Sequence, residues 1–289
     1  MSSVGIVLGL TAALSWGLAD YFAAVASRSA GSFRVVLGFH LVAVALLALL
    51  VFGTGETVAD VSGEDLAWFL FLGGLGALSY LCFYRALAIG PISIVSPVVS
   101  AYAAATVVCA VVIGGERLGA GEGAAIVVVL LGVLLASSDL AQFKSRERIA
   151  LFGIVLALVT AVAIGVFVYG IAHFSATYGW LVPIFLARGF SALFLVAVSL
   201  RGGEWRFPDR SPQLLATVSL IAVVDTLGYV AFNFGVRHAD TTVVATAAAP
   251  YSVVPIVAGV VLLQERPRWA HWAGVALVIS GLILLGLFA

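Results

Sequence analysis

Charge is what this sequence has least of. Only 10 % of its 289 residues are Asp, Glu, Lys or Arg, and their formal sum is zero. Such a chain has no basic field to draw a phosphate backbone, which excludes nucleic-acid binding. Cysteine is nearly absent as well. Cys82 and Cys109 are the only two, each inside an apolar run where a free thiol behaves as a small hydrophobe. No disulfide framework or zinc spacing is present, and neither a metal nor a cofactor is expected. The sequence also lacks an HExxH zinc pair, a Gly-x-Ser-x-Gly nucleophile turn and any His–carboxylate cluster, so enzymatic chemistry is not expected.

Apolar sequence fills the space that charge leaves. Hydrophobic residues make up 63 % and the mean hydropathy is +1.20, far from the composition of water-soluble domains. A spanning helix needs about 20 apolar residues. Hydropathy places such helices near 4–25, 34–52, 66–88, 93–113, 120–137, 150–172, 182–200, 213–236, 241–263 and 270–288. The first run follows Met1-Ser2-Ser3 without a basic n-region, so it reads as a retained helix. The joints are short and leave no room for a soluble domain.

The chain repeats itself. Gly5-Ile6-Val7-Leu8 recurs as Gly153-Ile154-Val155-Leu156, and Leu10, Ala13, Gly17 and Tyr21 match Leu158, Ala161, Gly165 and Tyr169. Further on, Tyr102, Val108, Val111, Val112, Glu116, Arg117 and Gly132 match Tyr251, Val257, Val260, Val261, Glu265, Arg266 and Gly281. The two units are residues 1–140 and 149–289, with five helices each. An odd number of spans makes the second unit cross in the opposite sense. The expected fold is therefore an all-α membrane protein of ten transmembrane helices in two five-helix inverted repeats.

Basic residues set the expected orientation. Odd-numbered joints and their flanks carry Arg28, Arg34, Arg85, Lys144, Arg146, Arg148, Arg201, Arg206, Arg210, Arg266 and Arg268, against Arg117 and Arg237 at even-numbered ones. The positive-inside rule puts the odd joints in the cytoplasm and both termini outside.

Ionisable groups inside hydrocarbon cost about 2.5–3.5 kcal/mol each on insertion scales, so each one is a functional candidate. Arg188, Asp225, Asp20 and His40 fall within spans. Asp225, Tyr229 and Phe232 are spaced to share one helix face, a stripe suited to an amphipathic binding cavity. Two readings stay open: an Asp225–Arg188 pair that only pins helices, or groups that meet substrate, with Asp225 and Asp20 as proton-coupling carboxylates. Trp16, one turn before Asp20, and Tyr80 are further candidates for the cavity wall. Tyr84 reads either as a wall residue or as an interfacial anchor beside Arg85. His173 and His238 read as interfacial.

Prolines point to the same place. Pro97 interrupts the fourth helix, and Pro250 with Pro255 interrupts the ninth, its counterpart in the second unit. A proline removes a backbone donor and frees the carbonyl four residues earlier, which hydrocarbon tolerates only beside protein or cavity water. Ser96 and Ser100, and Thr242 and Thr246, lie beside these breaks as hydroxyl donors, and Ser100 and Thr246 join the candidate binding residues.

These motifs resemble the EamA branch of the drug/metabolite transporter superfamily. Ser15-Trp16-Gly17 is similar to the family's Trp-Gly signature, and Gly115-Glu116-Arg117-Leu118 with Gly123 and Gly132-Val133 to its Gly-Glu-Arg-Leu exit and glycine-spaced fifth helix. Glu265-Arg266, Gly274 and Gly281 echo this in the second unit, where Ile164-Gly165, Gln264 and Pro267 depart from it. The resemblance implies a ten-helix basket with a central cavity, working by alternating access. The function expected is export of small metabolites, amino acids or amphipathic drug-like compounds, across a bacterial inner membrane, with protons as a coupling partner. The alternative is a lipid flippase or a scaffold subunit of a membrane complex.

Overall fold

A computed structural model of the protein describes residues 3–58, 60–115, 117, 119–137, 147–201, 211–238, 244 and 247–288. The described residues form helices joined by turns and short irregular joints, and none of them is in a strand. In lipid every backbone donor and acceptor needs an internal partner, and a helix provides this within one segment. In chain order the helices are α1 (Ser3–Ala30), α2 (Ser32–Thr54), α3 (Gly63–Ile89), α4 (Ile92–Ser100), α5 (Tyr102–Val112), α6 (Ala120–Ser137), α7 (Glu147–Tyr178), α8 (Val182–Arg201) and α9 (Pro212–His238). A 3₁₀ turn (Ala249–Ser252), α10 (Val253–Leu262) and α11 (Trp269–Phe288) follow. Among the described residues, eight spans are long and apolar enough to cross a membrane, with α4 and α5 forming one of them, and two shorter apolar helices cover Ala120–Ala136 and Pro250–Leu262. Ten spans are compatible with this set.

Local chemistry sets the helix ends. Gly31 and Gly55 flank α2 at φ 88° and 76°, a conformation that glycine adopts without a Cβ clash. Ser62 caps α3 by accepting the Asp65 amide at 3.0 Å, and Glu64 and Asp65 place negative charge in its first turn. Both opening helices outrun their hydropathy windows: α1 continues to Ala30 and α7 to Tyr178. Asp20 is therefore in the interior of α1.

One helical break is offset from its proline and the other is not. Pro97 lies inside α4, and the chain turns at Ala101, whose N–H is shared between the Val98 and Val99 carbonyls. In the second unit the break is at Pro250 itself, with φ −78° and ψ 21°. Ala101 and Pro250 occupy equivalent positions, each directly before the matched tyrosines Tyr102 and Tyr251. Pro255 corrects the expectation differently: it lies in the first turn of α10 and does not break the helix.

Packing relates the two units reciprocally. Arg28, ending α1, bonds the Leu87 and Gly90 carbonyls at the end of α3, so α1 and α3 run the same way. Against α3, α7 runs oppositely: Tyr178 donates to Asp65 at one end, and a Cβ at Gly153 would lie 3.5 Å from Ile89 at the other. Hence α1 and α7, the opening helices of the two units, point in opposite directions. A Cβ on Gly17 would come within 2.8 Å of the Tyr251 carbonyl, and one on Gly165 within 3.0 Å of the Tyr102 carbonyl. Where α6 crosses α11, a Cβ on Gly132 would stand 2.6 Å from the Val278 amide nitrogen and one on Gly281 2.8 Å from that of Val129. Each contact becomes the other when the units are exchanged. Glycine at these crossings lets backbones approach, which is how packing holds helices together where lipid supplies no hydrophobic drive.

Glu265 joins the units at the α3–α4 corner. Its carboxylate accepts the Ile92 and Ser93 amides at 2.9 and 3.0 Å, capping α4, while Arg28 lies 3.5 Å from the same carboxylate. Glu265 is thus a helix cap, and the helix capped belongs to the other unit. Glu265→Ala should lower the free energy of unfolding by about 1–3 kcal/mol, since two backbone donors lose a charged acceptor. Glu265→Gln, which keeps one carbonyl oxygen, should lose less; equal losses in denaturant titrations of the two variants would contradict the cap.

Candidate functional site

Arg188 is the largest fully buried side chain among the described residues, at 2 % exposure, on the face that α8 turns toward α2, α3 and α9. Its Nη2 lies 2.8 Å from Asp225 Oδ2 and donates to the Tyr80 hydroxyl at 2.9 Å. The guanidinium carbon sits 5.0 Å from the Phe39 and Tyr229 ring centres and 5.4 Å from that of Tyr80. Rings on a desolvated guanidinium stabilise it through their π faces and wall it from lipid. Nε and Nη1 are buried with no hydrogen-bond partner among the described residues. The cluster thus holds a charge pair with polar capacity in reserve.

His40, on α2, faces the same ring of aromatics, 5.0 Å from Tyr80 and 4.8 Å from Phe39 between ring centres. Its Nδ1 lies 2.9 Å from the Val36 carbonyl, so the hydrogen is on Nδ1 and the buried Nε2 is an acceptor without a partner.

Trp16 extends the cluster toward the α4–α5 break and the 3₁₀ turn. Its ring is 5.4 Å from Tyr229, 5.7 Å from Phe232 and 6.4 Å from Tyr251, and Tyr251 is 6.3 Å from Tyr102. Gly228 makes room for the indole, since a Cβ there would stand 2.6 Å from Trp16 Nε1. Asp20 lies one turn further along α1, within electrostatic reach of Asp225, Tyr102 and Tyr251. One of its carboxylate oxygens is buried without a partner among the described residues.

Arg188, Asp225, Tyr229, Phe232, Tyr80, Trp16 and Asp20 therefore converge. Tyr84 is 2 % exposed, so it belongs to this core and not to the interface. Ser100 is buried, and its hydroxyl donates to the Pro97 carbonyl at 2.7 Å. Thr246, with Thr242, lies outside the described residues, as does Glu116. Sequence reasoning passed over Phe39 and the role of His40. One signal was available: Tyr80 and Tyr229 stand in the same register as Tyr102 and Tyr251, as do Phe83 with Phe232 and Phe39 with Arg188. The aromatic frame is thus duplicated, while the charges are particular to the second unit, where Arg188 and Asp225 replace Phe39 and Gly76.

The profile of the EamA-like transporter family matches residues 3–138 and 151–287. The chain belongs to the EamA-like transporter family. An EamA-like chain is a multi-pass membrane transporter of the drug/metabolite transporter type, built from two copies of one unit. Its fold is that of a solved structure described only as "Crystal structure of protein", with a TM-score of 0.67, 20 % identity, and coverage of 100 % of this chain and 98 % of that one. A comparison with curated proteins gave no match. The family implies a small-molecule substrate and a membrane context.

Proposed function

We propose that this protein is a secondary transporter that exports small metabolites, amino acids or amphipathic drug-like compounds, across a bacterial inner membrane by alternating access. The observation that carries this reading is the meeting of Arg188, Asp225, Tyr80, Tyr229, Trp16 and Asp20 from α1, α3, α8 and α9, helices of both units, deep within an apolar protein. Apolar walls with a few convergent polar groups are what a small-molecule site requires. Opposed directions of α1 and α7 fit inverted repeats in a bilayer, and the breaks at Ala101 and Pro250 flank the cluster as equivalent hinges. The basic count puts the Ala30 and Ile89 ends in the cytoplasm and both termini outside. Asp20 and Asp225 are the proton-coupling carboxylates.

Reconstituted into proteoliposomes, the protein should exchange labelled amino acids or amphipathic amines across the bilayer and should concentrate them when a pH gradient is imposed. Asp225→Asn should abolish pH-driven accumulation while exchange continues. A folded protein that moves no solute from a broad panel contradicts the transport reading, and an unchanged pH response in the variant removes Asp225 from coupling.

A further inference from the structure

On the transport reading above, we infer that Arg188 is the anchor for a carboxylate on the transported solute, and that Asp225 is an internal carboxylate holding this anchor between solutes.

The argument starts from donors. A guanidinium carries five N–H donors, and a permanent Arg–carboxylate pair in a low-dielectric interior is stabilising only when its geometry is good, bidentate by preference, and its remaining donors are satisfied. Asp225 meets these conditions only in part: one of its oxygens lies 2.8 Å from Nη2, while the buried Nε and Nη1 have no hydrogen-bond partner among the described residues. A pair that exists only to pin α8 to α9 would close this deficit. A pair whose acid partner is exchanged would leave it open.

Register supports the same conclusion. The first unit builds its five helices with Phe39 and Gly76 where the second has Arg188 and Asp225, so the five-helix unit does not need the charges to fold. What the units share is the framing, with Tyr80 and Tyr229 both against the guanidinium and Phe39 across it. Three rings fix the plane of Arg188, which orients an incoming carboxylate.

Charge balance narrows the solute. A carboxylate that displaces Asp225 leaves that side chain without its cation, and either an ammonium on the same molecule or the coupling proton restores neutrality. A zwitterion therefore fits with Asp225 ionised and a monocarboxylate with Asp225 protonated, whereas a phosphate or sulfate dianion fits neither. The rings of Trp16, Phe232 and Tyr251 beside Tyr229 suit an apolar body on that zwitterion.

The test uses the full chain in nanodiscs with matched probes built on alanine, leucine, phenylalanine and tryptophan: the amino acid, its amide and the deaminated acid, each titrated by calorimetry. In the wild type the best-bound amino acid should lose roughly tenfold or more in affinity as its amide. Asp225→Asn should bind the deaminated acid of that set roughly tenfold more tightly than the wild type does, because the internal competitor is gone. Arg188→Gln alone leaves Asp225 uncompensated, so the charge-balanced Arg188→Gln/Asp225→Asn variant is the informative one, and it should bind acid and amide alike. Amides that bind as well as acids in the wild type, or an Asp225→Asn protein with no gain for the deaminated acid, overturn the assignment while solute binding survives. No binding by any probe to any folded variant overturns the transport reading with it.

Discussion

Replacing Asp225 by alanine is expected to lower the free energy of unfolding by about 3–5 kcal/mol, because Arg188 is then left charged and buried without its counter-ion. Arg188 is 2 % exposed and Asp225 7 %, so both charges are buried in this conformation. The penalty comes from the survivor and not from the contact itself. Removing both charges as Arg188→Leu/Asp225→Ala should therefore restore most of the loss, and the double variant should unfold at a higher temperature than Asp225→Ala alone. Thermal unfolding followed by tryptophan fluorescence in detergent reads both variants. Additive losses would show that the two residues are stabilised independently, against the 2.8 Å pair.

The second large effect is at the α6–α11 crossing. A Cβ on Gly274 would stand 2.2 Å from the Ala136 amide nitrogen, 2.7 Å from its Cα and 2.8 Å from the Gly132 carbonyl oxygen. All three are backbone atoms, so no rotamer change relieves the clash and the two helices must separate. Overpacking typically costs about 1–3 kcal/mol, and a backbone-to-backbone clash belongs at the upper end of that range or above it. Gly274→Ala should thus destabilise strongly, while adding Gly132→Ala should cost little more, because the same separation accommodates both methyl groups. Gly53, near the end of α2 with open space where its Cβ would go, is the control. Gly53→Ala should be neutral or stabilising by up to about 1 kcal/mol through helix propensity. A Gly274→Ala protein as stable as Gly53→Ala would contradict the crossing.

Much of this arrangement was legible in the residues. Hydropathy located the spans because lipid leaves few alternatives to helix, and the matched Tyr102/Tyr251 and Gly132/Gly281 pairs mark positions that are equivalent in space. Arg188 and Asp225 stood out because charge within a span is rare, and they do meet. What escaped was set by tertiary contact. Helix α1 outruns its hydropathy window because the arginine that closes it finds carbonyls on α3. The break lies at Ala101, four residues after Pro97, whereas a proline frees the carbonyl four residues before itself, so Pro97 does not mark its position. Phe39 looked like any apolar residue in a span, and only the folded arrangement brings its ring over Arg188. Glu265 was placed at a helix exit, but the helix it caps lies in the other unit, which no local pattern announces.

The reversal of the two units in the bilayer is tested most directly by sidedness. Single cysteines at Ser29, at the exposed end of α1, and at Thr177, at the equivalent exposed end of α7, are introduced after replacing Cys82 and Cys109, and are reacted in intact cells with a membrane-impermeant maleimide. Labelling from outside at position 177 alone, with position 29 reached only after the membrane is opened, is the predicted result. Labelling of both positions from the same side would place the two units in the same sense and contradict the account.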